Sequence, residues 1–151
     1  MAIRLETALG TGIDNYHSAT LPASQIAWSK RFATQFPDAV ARTAPSATYN
    51  CHGLTFASRR TCINKSRDLQ RILRDDGYEE VSLHDTIAGD IVIYSAVDGD
   101  LNHSGVVVAS GAPLVLPLVC SKWGNAGEYL HGLTNCPTLY GPITTFYRCR
   151  R

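Results

Sequence analysis

The chain has 151 residues, 44% of them hydrophobic and 18% charged, a balance that suits one globular domain with its own core and excludes a disordered chain. A formal net charge of +1 gives no electrostatic footing for nucleic acid or an anionic membrane surface. No apolar run approaches the ~20 residues that span a bilayer, so membrane insertion is not expected.

Residues 1–15 include Arg4, Glu6 and Asp14 and lack the apolar stretch of a secretory leader, so work outside the producing cell is expected to need a dedicated secretion route. Up to Ile13 the mixed composition, with Gly10 and Gly12, reads as a loose or edge segment. Ser24 to Phe36 reads as a helix capped by Ser24, with Ile26, Ala27, Phe32, Ala33 and Phe36 at helical spacing and Pro37 ending it. A small-residue connection leads to Tyr49-Asn50-Cys51-His52-Gly53, where a short helix is expected from Cys51 to about Arg59. Asn64 to Asp76 reads as the next helix, with Ser66 as cap, Leu69, Ile72 and Leu73 as its stripe and Gly77 as its stop.

After Gly77 the pattern changes to strands: Gly89–Tyr94, Asn102–Ala109, Leu114–Ser121 with Pro117 marking an irregularity, and Thr144–Arg148. Helices followed by an antiparallel sheet make an α+β fold, and no repeat or linker divides the single domain 1–151. The five cysteines, Cys51, Cys62, Cys120, Cys136 and Cys149, are an odd number, so at least one is unpaired; they form no CxxC pair, a disulfide scaffold is not expected at this length though the last four leave room for one bridge, and no metal or cofactor is expected.

Cys51 falls in the first turn of its helix, where free N–H groups and the helix dipole favour a thiolate. Gly53 is a poor helix former and suits a first turn that a backbone or a substrate must approach closely. A cysteine nucleophile needs a base held by a third group. His103 opens the second strand beside the small residues Ser104 and Gly105 and is the candidate base, whereas His52 is expected at the surface. With the following hairpin turning near Gly111–Ala112, His103 faces roughly position 120, and Ser121 is the candidate to orient its ring. An oxyanion would be held by N–H groups at the helix start and by a side chain among Thr48, Tyr49 and Asn50. Ser121 to His131 reads as a strand-to-loop passage, with Trp123 and Tyr129 as contact surfaces in a cleft wall.

Asn50-Cys51-His52-Gly53-Leu54, Gly89-Asp90-Ile91-Val92-Ile93-Tyr94 and His103-Ser104-Gly105-Val106 together resemble the NlpC-type papain-like cysteine peptidases and their CHAP amidase relatives. The resemblance spans about Tyr49 to Gly124. It implies a papain-like fold with Cys51 as nucleophile, His103 as base and then acid, and a third polar residue on the next strand. That third residue is usually His, Asn or Gln; here the strand offers Ser121, then Lys122 and Asn125, with His131 as a substitute in what reads as a loop. The implied activity is hydrolysis of an amide through a thioester, on a peptide or on the peptide part of bacterial peptidoglycan, as an effector or toxin with a cognate immunity or inhibitor protein as partner. Glutamine deamidation or transglutamination at the same site, and an inactive binding module on the same scaffold, are the alternatives.

Overall fold

Runs of β-branched and aromatic residues from position 78 onward pair into a sheet, and helices from the first half of the chain pack against it. In the computed structural model, which describes residues 1–150, the strands are β1 (Val40–Ala41), β2 (Tyr78–Val81), β3 (Ile91–Ser95), β4 (Leu101–Ala109), β5 (Leu118–Lys122), β6 (Glu128–Gly132) and β7 (Ile143–Cys149). They form one antiparallel seven-stranded sheet in the order β1-β6-β5-β4-β3-β7-β2. The helices are α1 (Ala23–Ser29), α2 (Arg31–Gln35), α3 (Cys51–Phe56) and α4 (Ser66–Asp75), with single 3-10 turns at Leu83–Asp85 and Thr138–Tyr140. The α+β class with an antiparallel sheet is therefore as expected.

Strand alternation sorts the side chains of β4 onto two faces. His103, Gly105 and Val107 point to one face, where Val92, Tyr94, Val119 and Phe146 meet Phe32 of α2 and the rings of Trp123, Tyr129 and Tyr140. Ser104 and Val106 point to the other, which α3 covers through Thr55 and Leu54. A second core forms on this helical side from Ile13, Ala57, Ile63, Leu69 and Ile72.

Several boundaries differ from expectation. The helix over 24–36 is broken at Lys30, and Trp28 stays half-exposed while Phe32 enters the core. The last turn of α4 ends at Gly77 with φ +70°, as its glycine required, but Ser66 caps nothing: its hydroxyl donates to Asp100 Oδ1 at 3.1 Å. The segment before Ile13 is fastened rather than loose. Thr7 and Thr11 hydroxyls donate to Asp75 Oδ2 at 3.0 and 2.9 Å, and the Ala8 N–H donates to Asp76 Oδ1 at 2.7 Å. The third strand starts only at Leu118, because Pro117 has no N–H to give the ladder. Residues 128–132 are strand β6, so the passage from Ser121 to His131 is a β-hairpin, not a loop.

That hairpin also revises Trp123 and Tyr129, whose rings are core and not a cleft wall. Trp123 is 0% and Tyr129 7% exposed; the two rings stack at 4.2 Å, and Phe32 and Phe36 each meet Trp123 edge-on at 5.1 Å. Removing a ring this enclosed leaves a cavity that the sheet cannot close. Trp123→Ala is expected to lower stability by ~3–5 kcal/mol, read as a fall in the urea midpoint with the m-value unchanged.

Candidate functional site

Helix α3 starts where it does because of one side chain. Asn50 is extended (φ −107°, ψ −170°), and its Oδ1 accepts from the Gly53 N–H at 2.9 Å, the usual N-cap bond. The same oxygen accepts from the Ile63 N–H at 3.1 Å, while Nδ2 donates to the Ile63 carbonyl at 2.7 Å and to Asn64 Oδ1 at 2.9 Å. Every hydrogen-bonding atom of this carboxamide is thus engaged within the chain, and Asn50 fixes the turn that carries Cys51. Gly53 has the same purpose. A Cβ there would lie 1.8 Å from the Thr61 carbonyl oxygen, so the close neighbour that excludes a side chain is the protein's own backbone.

Cys51 is 8% exposed and borders a cleft of about 180 Å³ lined by Asn50, Asn64, Asp100 and Asn102. Burial pushes its thiol up to about 11. The backbone N–H groups of Ser104, His52 and Cys51 itself, and the charge of Lys122, pull the other way without overcoming it. In the free protein Cys51 is therefore a protonated thiol set among donors suited to an anion.

The cation beneath the site was not anticipated as part of it. Lys122 is 0% exposed; its ammonium donates to the Ser46 carbonyl at 2.8 Å and the Gly124 carbonyl at 2.5 Å, and it lies 5.0 Å from the centre of the Tyr49 ring. Burial lowers its pKa to about 8. Tyr49 donates its hydroxyl to Glu128 Oε1 at 2.6 Å, and Arg59 holds the same carboxylate with two N–H bonds, at 2.6 and 3.1 Å. Tyr49 is thereby unavailable to an oxyanion as well.

His103 is wholly buried. Its ring lies flat against Tyr140, with centroids 3.6 Å apart and planes 3° from parallel, and 5.4 Å from Tyr94. Neither ring nitrogen has a hydrogen-bond partner among the described residues, so no bond joins His103 to Cys51. Burial holds its pKa well below the usual histidine value, which makes the ring neutral. It is nevertheless next to the site along the chain: Ser104, the following residue, supplies one of the N–H groups facing the Cys51 sulfur.

Ser121 does not orient His103. Its hydroxyl meets His131 Nε2 at 2.7 Å and accepts from Trp123 Nε1–H at 3.0 Å. His131 Nδ1 faces the Gly132 carbonyl at 2.8 Å, which fixes the proton on Nδ1 and makes Ser121 the donor to Nε2. The cause is register: Gly105 pairs with Ser121 and Val106 with Cys120, so position 120 lies beyond the reach of His103. The loop before Leu118 and an irregularity between Val107 and Ala109 shift the turn away from Gly111–Ala112. Asn125, the other alternative, donates its amide to Gln25 of α1.

His52 is buried, not superficial. Its Nδ1 is 2.8 Å from the Ser104 hydroxyl, which lies 2.9 Å from the Thr55 hydroxyl, and Thr55 donates back to the Cys51 carbonyl at 3.0 Å. Ser104 is therefore not mere space beside His103; it points to the opposite face and ties β4 to α3. Strand alternation, which separates neighbours 103 and 104, was the available signal for this. Among the described residues no group of side chains has metal-ligand geometry, and all five cysteines are free. No family model matches the chain, and neither a curated protein nor a solved structure shows significant similarity to it.

Burial lowers the His52 pKa from 6.5 to about 4. The unfolded chain then binds more protons than the folded one between those values, so stability is full above pH 6.5 and falls as pH drops toward 4, at most by ~1.4 kcal/mol per pH unit for this group. Urea midpoints at pH 7, 6 and 5 are expected to decline, and His52→Asn, which keeps a polar group near the Nδ1 position, to lessen the decline while the buried His103 and His131 keep their share of it.

Proposed function

We propose that this chain is a papain-like cysteine hydrolase of amide bonds, with Cys51 as nucleophile and His103 as base, acting on the peptide part of bacterial peptidoglycan. The observation that carries this reading is the seat of the Cys51 sulfur: the first turn of α3 at the border of a polar cleft, where backbone N–H groups of that turn and of Ser104, the residue after His103, favour its anion. Such donors serve a thiolate first and a tetrahedral oxyanion second.

The reaction requires the His103 ring to leave the face of Tyr140. A buried ring with unsatisfied nitrogens costs ~1–3 kcal/mol for each missing bond, so a turn that sets one nitrogen on the Cys51 thiol recovers part of that cost. His103 then takes the thiol proton as sulfur bonds to the carbonyl carbon. Collapse of the oxyanion breaks the C–N bond, and His103 passes the proton to the departing amine. Water, deprotonated by the same ring, attacks the thioester, releases the acid and returns the thiol.

A second reading, a binding module on this scaffold, is favoured by the high Cys51 pKa and the missing Cys51–His103 bond. One experiment separates the two. Purified peptidoglycan is incubated with wild type, Cys51→Ala and His103→Ala, with new amino groups quantified and the protein mass followed for an acyl adduct. Hydrolysis predicts amine release abolished in Cys51→Ala and reduced ~10²–10⁴-fold in His103→Ala. Neither amine release nor an adduct on Cys51 with wild type would leave the binding module.

A further inference from the structure

The Cys51 cleft does not end at Asn64. A second hollow of about 250 Å³, walled by Asp14, Asn15, Tyr16 and Lys65, shares Asn64 with it. We propose that the two hollows are one substrate groove for an extended polar peptide, and that the N-terminal arm, through Tyr16, forms its far wall. This rests on the hydrolase reading only in taking the occupant to be the substrate.

Three features of the groove point to a peptide. Asn64 Nδ2 and the whole Asn102 carboxamide are exposed and lack a partner among the described residues, although Asn64 Oδ1 is held by Asn50. These free amide groups line the cleft that Cys51 borders and match the donors and acceptors of a main chain. The Tyr16 ring is 51% exposed and stacks on no other ring, yet its backbone is fixed: its N–H donates to the Cys62 carbonyl at 3.1 Å and its carbonyl accepts from the Cys62 N–H at 2.7 Å. A rigidly mounted, uncovered ring is a contact surface ready for use. Charged groups sit in both hollows, Asp100 held by Ser66 beside Cys51 and Asp14 paired with Lys65 in the second. Such walls disfavour an acyl chain or an aliphatic side chain, whose burial would strip water from these groups without replacing its bonds.

The test uses Cys51→Ala, which binds without turnover, titrated with two probes: a disaccharide-tetrapeptide prepared from peptidoglycan, and an unrelated hexapeptide of Gly, Ser, Lys and Glu. NMR follows the side-chain amides of Asn64 and Asn102 and the backbone amide of Tyr16. Either probe is expected to shift all three together, and adding Tyr16→Ala to weaken binding ~10-fold, equivalent to about 1.4 kcal/mol. Asn64→Ala supplies a second variant should the Tyr16 change disturb the arm. Shifts confined to Asn102 with affinity unchanged by Tyr16→Ala would overturn the groove, as would no shift with millimolar probe. Binding needs no reactive thiol, so this outcome is independent of the amine-release assay.

Discussion

The carboxamide of Asn50 is the contact on which the arrangement around Cys51 depends. It caps α3 through Gly53, and with both its polar ends it grips the Ile63 peptide. The helix start is therefore fixed to the segment Thr61–Asn64 and not to the sheet alone. Gly53 allows this closeness, since its missing side chain lets the Thr61 carbonyl sit against the first turn. A residue spent in this way cannot also donate to an oxyanion. The preceding Tyr49 is likewise committed, to Glu128.

Burial sets the chemistry of the site as found. Cys51 is surrounded by N–H groups and has a buried cation near it, yet desolvation outweighs both and the thiol keeps its proton. His103 is neutral for the same reason, packed between tyrosine rings with no polar partner. Each group is thus uncharged where it is buried, and a thiolate or an imidazolium at either position would need compensation for lost hydration.

The sequence made the class of the fold legible because its signals are local: continuous, β-branched apolar runs at Ile91–Tyr94 and Val106–Ala109, Gly77 after a helical stripe, and Asn50 before Cys51. What was not legible depended on long-range register. His103 and Ser121 are both on the expected strands, but a turn displaced by the Pro117 segment gives Ser121 to Gly105 and leaves its hydroxyl to His131. Strand β6 was hidden because Trp123 to Tyr129 holds two glycines and many polar groups, the composition of a loop. Only the stacking of Trp123 on Tyr129 across the hairpin shows why it folds as strands. The buried Lys122 could not be inferred either, since a lysine at a strand end is solvated unless carbonyls such as those of Ser46 and Gly124 converge on it.

The N-terminal arm acquires its meaning from the same segment that Asn50 grips. Tyr16 and Cys62 exchange backbone bonds, and the Thr61 hydroxyl donates to Asn15 Oδ1 at 2.9 Å, so residues 61–63 carry the arm on one side and the Cys51 turn on the other. Thr61 and Ile63 are fully buried, which leaves this connector no freedom to flex between them. At its far end the arm is held again, by Thr7 and Thr11 on Asp75 of α4. The arm and the Cys51 turn are thus positioned by one short, rigid strip of backbone. A peptide spanning Tyr16 and Cys51 would meet two surfaces already fixed relative to each other, and ordering them would cost no binding energy.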